Sequence, residues 1–134
     1  MKNTLFRFKQ FQIDQSKSAM KIGTDGVLLG AWTSVSSKPK TILDIGSGTG
    51  LIALMLAQRT DGSRIKAIEI DAAAAAEAAK NFKNSPWFDR LELLHTDLLN
   101  YTQKSSETFE LIVSNPPFFT APFKVSEDSR STAR

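Results

Sequence analysis

The sequence predicts an α/β domain, a mostly parallel sheet with helices on both faces, and three observations carry that expectation. From Thr41 onward short apolar runs alternate with helix-forming segments, the pattern of parallel strands joined by right-handed crossovers. A glycine turn, Gly46 to Gly50, joins the first of these runs directly to a helix. At 134 residues and 14.8 kDa the chain suits one domain, with enough length for a real core and no room for a comparable second one.

Each element follows from its local pattern. The opening "FRFKQFQI" alternates apolar and polar residues at Phe6 and Phe8, then slips phase to Phe11 and Ile13, as two short strands or one bulged strand would. It begins a small β-rich lead-in over residues 1–40. In "AMKIGTDGVLLGAW" an apolar stretch from Val27 to Trp32 follows the turn signals Gly23, Thr24, Asp25 and Gly26, with Thr24 or Asp25 placed to cap a short helix. "SVSSKPK", Ser34 to Lys40, is loop composition. "TILDI" then reads as a strand, "LIALMLAQRT" as an apolar helix, "RIKAIEI" as a second strand and "AAAAAEAAKNF" as a second helix of very high propensity. The alanines Ala72 to Ala76 suit a helix packed close to a sheet. "LELLH" makes a third strand, "TDLLNY" a short helical turn, and "FELIVS" a fourth strand that runs into Asn115.

Composition narrows the function classes. Cysteine is absent and there is a single histidine, which rules out disulfides and thiol catalysis and removes the usual zinc ligand sets, so no metal is expected. No apolar run approaches the ~18 residues of a membrane span and no signal-peptide pattern is present, so a cytoplasmic location is the expectation. The formal charge of +3 and pI near 9.3 suit an anionic partner only weakly.

The glycine turn "DIGSGTG" places Gly46, Gly48 and Gly50 between a strand and a helix, where missing Cβ atoms let the backbone turn sharply and approach a ligand. A nucleoside triphosphate loop would need GxxxxGK[ST], but Leu51 follows Gly50. The dinucleotide spacing is GxGxxG, and here it is GxGxG. Asp44, just before the turn, would repel a pyrophosphate and suits a cationic amino group. Glu69 falls at the end of the second strand, about 20 residues further on, where a carboxylate can accept from both hydroxyls of a ribose. Asp71 competes for that role and reads better as the cap of the alanine-rich helix. Asp97, after the third strand, is placed to accept from an adenine amino group or to cap "LLNY". A free ammonium, a ribose and an adenine together describe S-adenosylmethionine, and at this point the sequence resembles a class I, Rossmann-like methyltransferase.

The stretch "LIVSNPPFF" adds a second half to the site. Two successive prolines, Pro116 and Pro117, donate no backbone hydrogen bonds and hold the chain extended. Asn115 offers a side-chain carbonyl and Pro116 a backbone carbonyl, two acceptors for the hydrogens of an amino group. Phe118 offers a flat face on which a base can stack, worth ~1 to 3 kcal/mol. An aromatic amine is a poor nucleophile because its lone pair is delocalised into the ring. Two acceptors on its hydrogens favour the pyramidal, nucleophilic form.

"SNPPF" resembles the signature of enzymes that methylate adenine N6, cytosine N4 or a protein glutamine amide. With "FRFKQFQIDQSKSAMKIGTDGVLLGAW", "DIGSGTGLIALMLAQR" and "AIEID", nearly the whole chain resembles the bacterial tRNA1(Val) adenine-N6 methyltransferase family. The resemblance implies methylation of an adenine beside the anticodon of a tRNA, with S-adenosylmethionine as donor. It implies that Asn115, Pro116, Pro117 and Phe118 hold the target amine and that Asp44, Gly46, Gly48, Gly50, Glu69 and Asp97 line the cofactor. Thr24, within Lys21 to Asp25, would reach the methionine end. The rivals are a glutamine-amide methyltransferase acting on release factors and a catalytically silent module that binds the cofactor. The resemblance further implies strands beyond the fourth, so residues 41–134 are expected to be the N-terminal part of a core cut in the polar stretch Phe123 to Arg134.

The remaining aromatic and charged residues take structural readings. His95 reads as a core or strand-end residue, and Trp32, Trp87, Phe6, Phe8 and Phe11 as packing aromatics. Lys2, Arg7, Lys9, Lys17 and Lys21 read as scattered surface cations.

Overall fold

The computed structural model of the chain describes residues 5–7, 10–14 and 24–115, with side chains described for 10–14 and 26–115. The lead-in contains β1 (Leu5–Arg7) and β2 (Gln12–Asp14), an antiparallel pair with Phe6 opposite Ile13, so the phase slip marks two strands. Helix α1 (Thr24–Trp32) follows, and then the regular alternation begins: β3 (Thr41–Ile45), α2 (Leu51–Arg59), β4 (Arg64–Glu69), α3 (Ala72–Lys83), a 3-10 turn at Phe88–Arg90, β5 (Leu91–His95), α4 (Leu98–Lys104) and β6 (Leu111–Ser114). The last four strands form one all-parallel sheet in the order β5-β4-β3-β6.

Alternation along the strands sorts the core into two layers. Ile42, Ile65, Ala67 and Val113 lie in one buried cluster with Leu51, Leu54 and Leu56 of α2 and Phe82 of α3. Leu43 and Ile68 face the other way and meet Tyr101 of α4. Helix α4 extends to Lys104, beyond the short turn expected, because Tyr101 packs under the sheet and its hydroxyl donates to Glu107 at 2.9 Å, which pairs in turn with Lys66 of β4 at 2.6 Å. Strand β6 starts two residues later than expected: Phe109 turns toward Tyr101, their ring centroids 6.5 Å apart.

The lead-in is held on the same core. Phe11 and Ile13 are buried in the larger cluster, and Phe11 meets Trp87 edge-on at 5.7 Å, so both aromatics pack as expected. Trp32 does not: it is 77% exposed. Helix α1 presents Gly30 to α2, so closely that a Cβ there would overlap Met55 Sδ, and two residues further round the helix Trp32 points away from that contact. His95 is exposed at the end of β5 with Nε2 3.0 Å from the Ile70 carbonyl, a strand-end residue. Phe6 and Arg7 have side chains outside the described residues; Phe8, Lys2, Lys9, Lys17 and Lys21 lie outside them altogether.

Asn81 of α3 ties three segments together. Its Oδ1 accepts from the Asp14 amide at 2.9 Å, and its Nδ2 donates to the Asp14 carbonyl at 3.1 Å and to the Thr49 carbonyl at 2.9 Å. The residue is buried, so truncation leaves the Thr49 carbonyl without its partner in a place water does not easily reach. Asn81→Ala is expected to destabilise the protein by about 2–3 kcal/mol, read as a lower denaturant midpoint with an unchanged slope.

Candidate functional site at the carboxyl edge of the sheet

The chain places β4 and β5 successively on one side of β3, then returns to lay β6 on the other side. Strand order therefore reverses between β3 and β6, and ligands of open α/β sheets bind in the crevice outside the strand ends at such a point. The register sets Ile45 beside Ser114, so the glycine turn and Asn115 leave the sheet side by side, and the Ser114 hydroxyl donates to the Ile45 carbonyl at 3.2 Å. Glu69 ends β4, paired with His95, and Asp97 follows β5. The residues singled out in the sequence and described here thus share one edge.

The three glycines divide into two kinds. All have positive φ, 74° at Gly46, 55° at Gly48 and 89° at Gly50, a region that strongly favours glycine. A Cβ on Gly50 would stand 2.6 Å from Phe82, so that glycine serves packing. Among the described residues a Cβ on Gly46 or Gly48 would meet nothing within 4 Å, so toward those residues the two present bare backbone.

Asp44 shares the phase of Ile42 on β3 and is 1% exposed, and neither of its carboxylate oxygens has a hydrogen-bond partner among the described residues. Burial pushes its carboxyl up to about 7, the negative charge of Glu69 adds to the rise, and the Ala53 amide at the start of α2 offsets it only in part. The Ser47 hydroxyl, in the adjoining turn, is buried and unpartnered in the same sense. An orphaned carboxyl beside bare glycine backbone fits a ligand's ammonium group, which would restore its ionised form.

Glu69 is also buried, yet satisfied: Oε1 accepts from the Gly48 amide at 2.7 Å and Oε2 from the Asp71 amide at 3.0 Å. Asp71 caps α3 as expected, accepting from the Ala74 amide at 2.8 Å. Asp97 caps α4: Oδ1 accepts from the Asn100 amide at 2.7 Å and Oδ2 from the Asn100 side chain at 3.1 Å. Asn115 is exposed at the end of β6. Pro116, Pro117 and Phe118 lie outside the described residues, as does the side chain of Thr24, which opens α1.

Two contributors were not singled out in the sequence. A Cβ on Gly26 would come 3.4 Å from Asn115 Nδ2 and 3.3 Å from Leu51, so the start of α1 closes against both halves of the site. Its only sequence signal was a turn residue. Ile70, read as the last residue of a strand, lies just past β4 and is 67% exposed, an apolar side chain next to Glu69.

Among the described residues no helix is long and apolar enough to cross a membrane. A parallel sheet with a glycine cradle and carboxylates at its strand ends defines a Rossmann-like α/β domain of the methyltransferase kind. The chain belongs to the methyltransferase small domain family, whose profile it matches over residues 16–128. It is 53% identical over 130 residues to the tRNA1(Val) (adenine(37)-N6)-methyltransferase of Flavobacterium psychrophilum, an alignment covering 97% of this chain and 56% of that protein. It is 50% identical to the protein of the same name from Haemophilus influenzae, again covering 96% of this chain and 56% of the relative. The chain thus spans little more than half the length of these relatives. Among solved structures it resembles a Podospora anserina methyltransferase bound to SAH, with a TM-score of 0.61 and 27% identity over 72% of this chain and 42% of that one. An O-methyltransferase from Bacillus cereus in complex with SAH superposes with a TM-score of 0.61 at 24% identity, covering 74% of this chain and 47% of that one.

The state of Asp44 predicts a pH dependence. Its folded value lies above its unfolded value of 3.8, so the native protein holds more protons than the unfolded chain in that window and loses stability as pH rises toward 7. Asp44→Asn removes the titration. Between about pH 4 and pH 8 the stability difference between variant and parent should move in the variant's favour by up to roughly 4 kcal/mol. Urea unfolding of both proteins across that range measures it, and a constant difference would place the titration elsewhere.

Proposed function

We propose that the protein is an S-adenosylmethionine-dependent tRNA methyltransferase acting on the N6 amino group of an adenine, in the cytoplasm, and that this chain carries its cofactor site and its target-amine motif. The observation that carries the reading is the meeting, at one strand-order reversal, of an orphaned buried carboxyl, bare glycine backbone and Asn115. Names of relatives at about half identity support the choice of tRNA.

In this reading Asp44 receives the ammonium of the methionine end, and the backbone of Gly46 and Gly48 lies against the cofactor. Gly50 sets the entry into α2. Glu69 accepts from the ribose hydroxyls, using lone pairs that its bonds to Gly48 and Asp71 leave free. Asp97 accepts from the adenine amino group on the same principle, Ile70 offers apolar surface beside it, and Thr24 lies at the methionine end. When bound, S-adenosylmethionine supplies an electrophilic methyl group on a sulfonium. The Asn115 side-chain carbonyl and the Pro116 carbonyl accept the two hydrogens of the target amine and orient its lone pair, while Pro117 keeps the corner extended and Phe118 stacks on the base. No strong base is needed, because the nitrogen becomes acidic once methylated and releases its proton to solvent.

Incubation of the protein with S-adenosylmethionine and unmodified tRNA should yield N6-methyladenosine, detected by mass spectrometry of the digested nucleosides. Asn115→Ala should lower kcat by about 100-fold or more and leave cofactor affinity within about threefold, since Asn115 touches the amine alone in this reading. Methylated glutamine in a release factor, with no methylated adenine in tRNA, would transfer the assignment to a glutamine-amide methyltransferase.

A further inference from the structure

We propose that Glu69 has a second role at the cofactor site: it is a positioning residue whose carboxylate holds the Gly48 amide, and with it the glycine turn, in the cradle conformation before any ligand arrives. The need for such a restraint follows from the turn itself. Gly46 and Gly48 have no side chain and sit at positive φ with no heavy atom of the described residues within 4 Å of the place of a Cβ. Glycine visits many other conformations at little cost, so neither its own preference nor side-chain packing keeps these two residues where they are.

Hydrogen bonds fix the ends of the turn. The Gly46 and Ser47 amides donate to the Ile68 carbonyl at 2.9 and 3.1 Å, and the Gly50 amide donates to the Ser47 carbonyl at 2.8 Å. Gly50 is further wedged against Phe82. The middle is held differently, by the 2.7 Å bond from the Gly48 amide to Glu69 Oε1, a contact across 21 residues of sequence and strengthened by the carboxylate charge.

Glu69 is itself immobilised. It is 8% exposed, its other oxygen accepts from the Asp71 amide at 3.0 Å, and its carbonyl accepts from the Thr96 amide at 3.0 Å. The carboxylate is therefore set by β4 and by the entry to α3, and it transmits that placement to the turn. Each carboxylate oxygen has a second lone pair, so the restraint persists when hydroxyls approach. A ligand meets a cradle already formed and does not have to order it, which favours binding whichever part of the ligand lies against Gly48.

A carboxamide cannot reproduce this arrangement. Both amides facing Glu69 are donors, and a glutamine of the same size offers one oxygen and one NH2, so one donor is opposed by another. In the isotope-labelled protein without ligand, Glu69→Ala, which removes the acceptor from both amides whichever way a glutamine would turn, should make the Gly48 amide exchange with solvent about tenfold faster or more. The Leu54 amide, bonded to Gly50, and the Arg64 amide, bonded to Lys40, should keep their parent rates. Unchanged exchange at Gly48 overturns the proposal, and so does uniform acceleration at all three amides, which would assign Glu69 to global stability.

The role toward ligand rests on the cofactor reading above and is tested separately, with S-adenosylhomocysteine and its 2′,3′-dideoxy analogue. Loss of a preformed cradle weakens both by about tenfold, whereas loss of hydroxyl contacts alone weakens only the first, a result that overturns the positioning role. Failure of the parent protein to bind either compound would overturn the cofactor reading and leave the exchange rates to decide the role of Glu69.

Discussion

The reversal of strand order at β3 is the constraint on which the site depends. Because β4 and β5 extend the sheet to one side and β6 returns to the other, strand order reverses between β3 and β6, and the crevice that open α/β sheets use for ligands lies outside the ends of those two strands. Everything chemically distinctive in the described chain is delivered to that crevice by strand register. Ile45 beside Ser114 sets the glycine turn next to Asn115, and Glu69 beside His95 sets a carboxylate at the next strand end. A one-residue slip would turn Asp44 from the α2 side of the sheet to the opposite face, and the buried phase shared by Ile42, Ile65 and Ala67 prevents it.

Two carboxylates stand at that edge under opposite conditions, and the contrast is informative. Glu69 is buried with both oxygens bonded to backbone amides, so its charge is compensated by the fold. Asp44 is buried with neither oxygen bonded among the described residues, and the neighbouring Glu69 charge makes its ionisation harder still. A fold optimised for stability alone would not leave a carboxyl in that position. One acid is compensated by backbone donors and the other is not.

Much of this was legible in the sequence because the core is patterned locally. The runs "TILDI" and "LELLH" coincide with β3 and β5 at both ends, and Asp71 caps α3 as its position before the alanines suggested. What was not legible depends on contacts between residues far apart. The exposure of Trp32 is decided by Gly30 closing on Met55, and the length of α4 by Tyr101 packing beneath Leu43 and Ile68. The equality of three glycines in "DIGSGTG" was misleading in the same way: only the nearness of Phe82 separates Gly50 from the other two. The approach of Gly26 to Asn115 and the bond from Gly48 to Glu69 join segments that no periodicity relates.

That division has a physical basis. Strand and helix positions repeat a simple choice between core and solvent, which many residues report together. A site is specified by single residues, each meeting a different distant partner, so its geometry enters the sequence as isolated letters without a repeating pattern. Asn81 illustrates the point: between Lys80 and Phe82 it looks like a polar residue near a helix end, yet it fastens the lead-in at Asp14 to the glycine turn at Thr49. Through that one side chain the N-terminal segment and the glycine turn are positioned relative to each other. The β1–β2 pair is therefore coupled mechanically to the glycine turn through Asn81, while α1 of the same lead-in approaches Asn115 directly at Gly26.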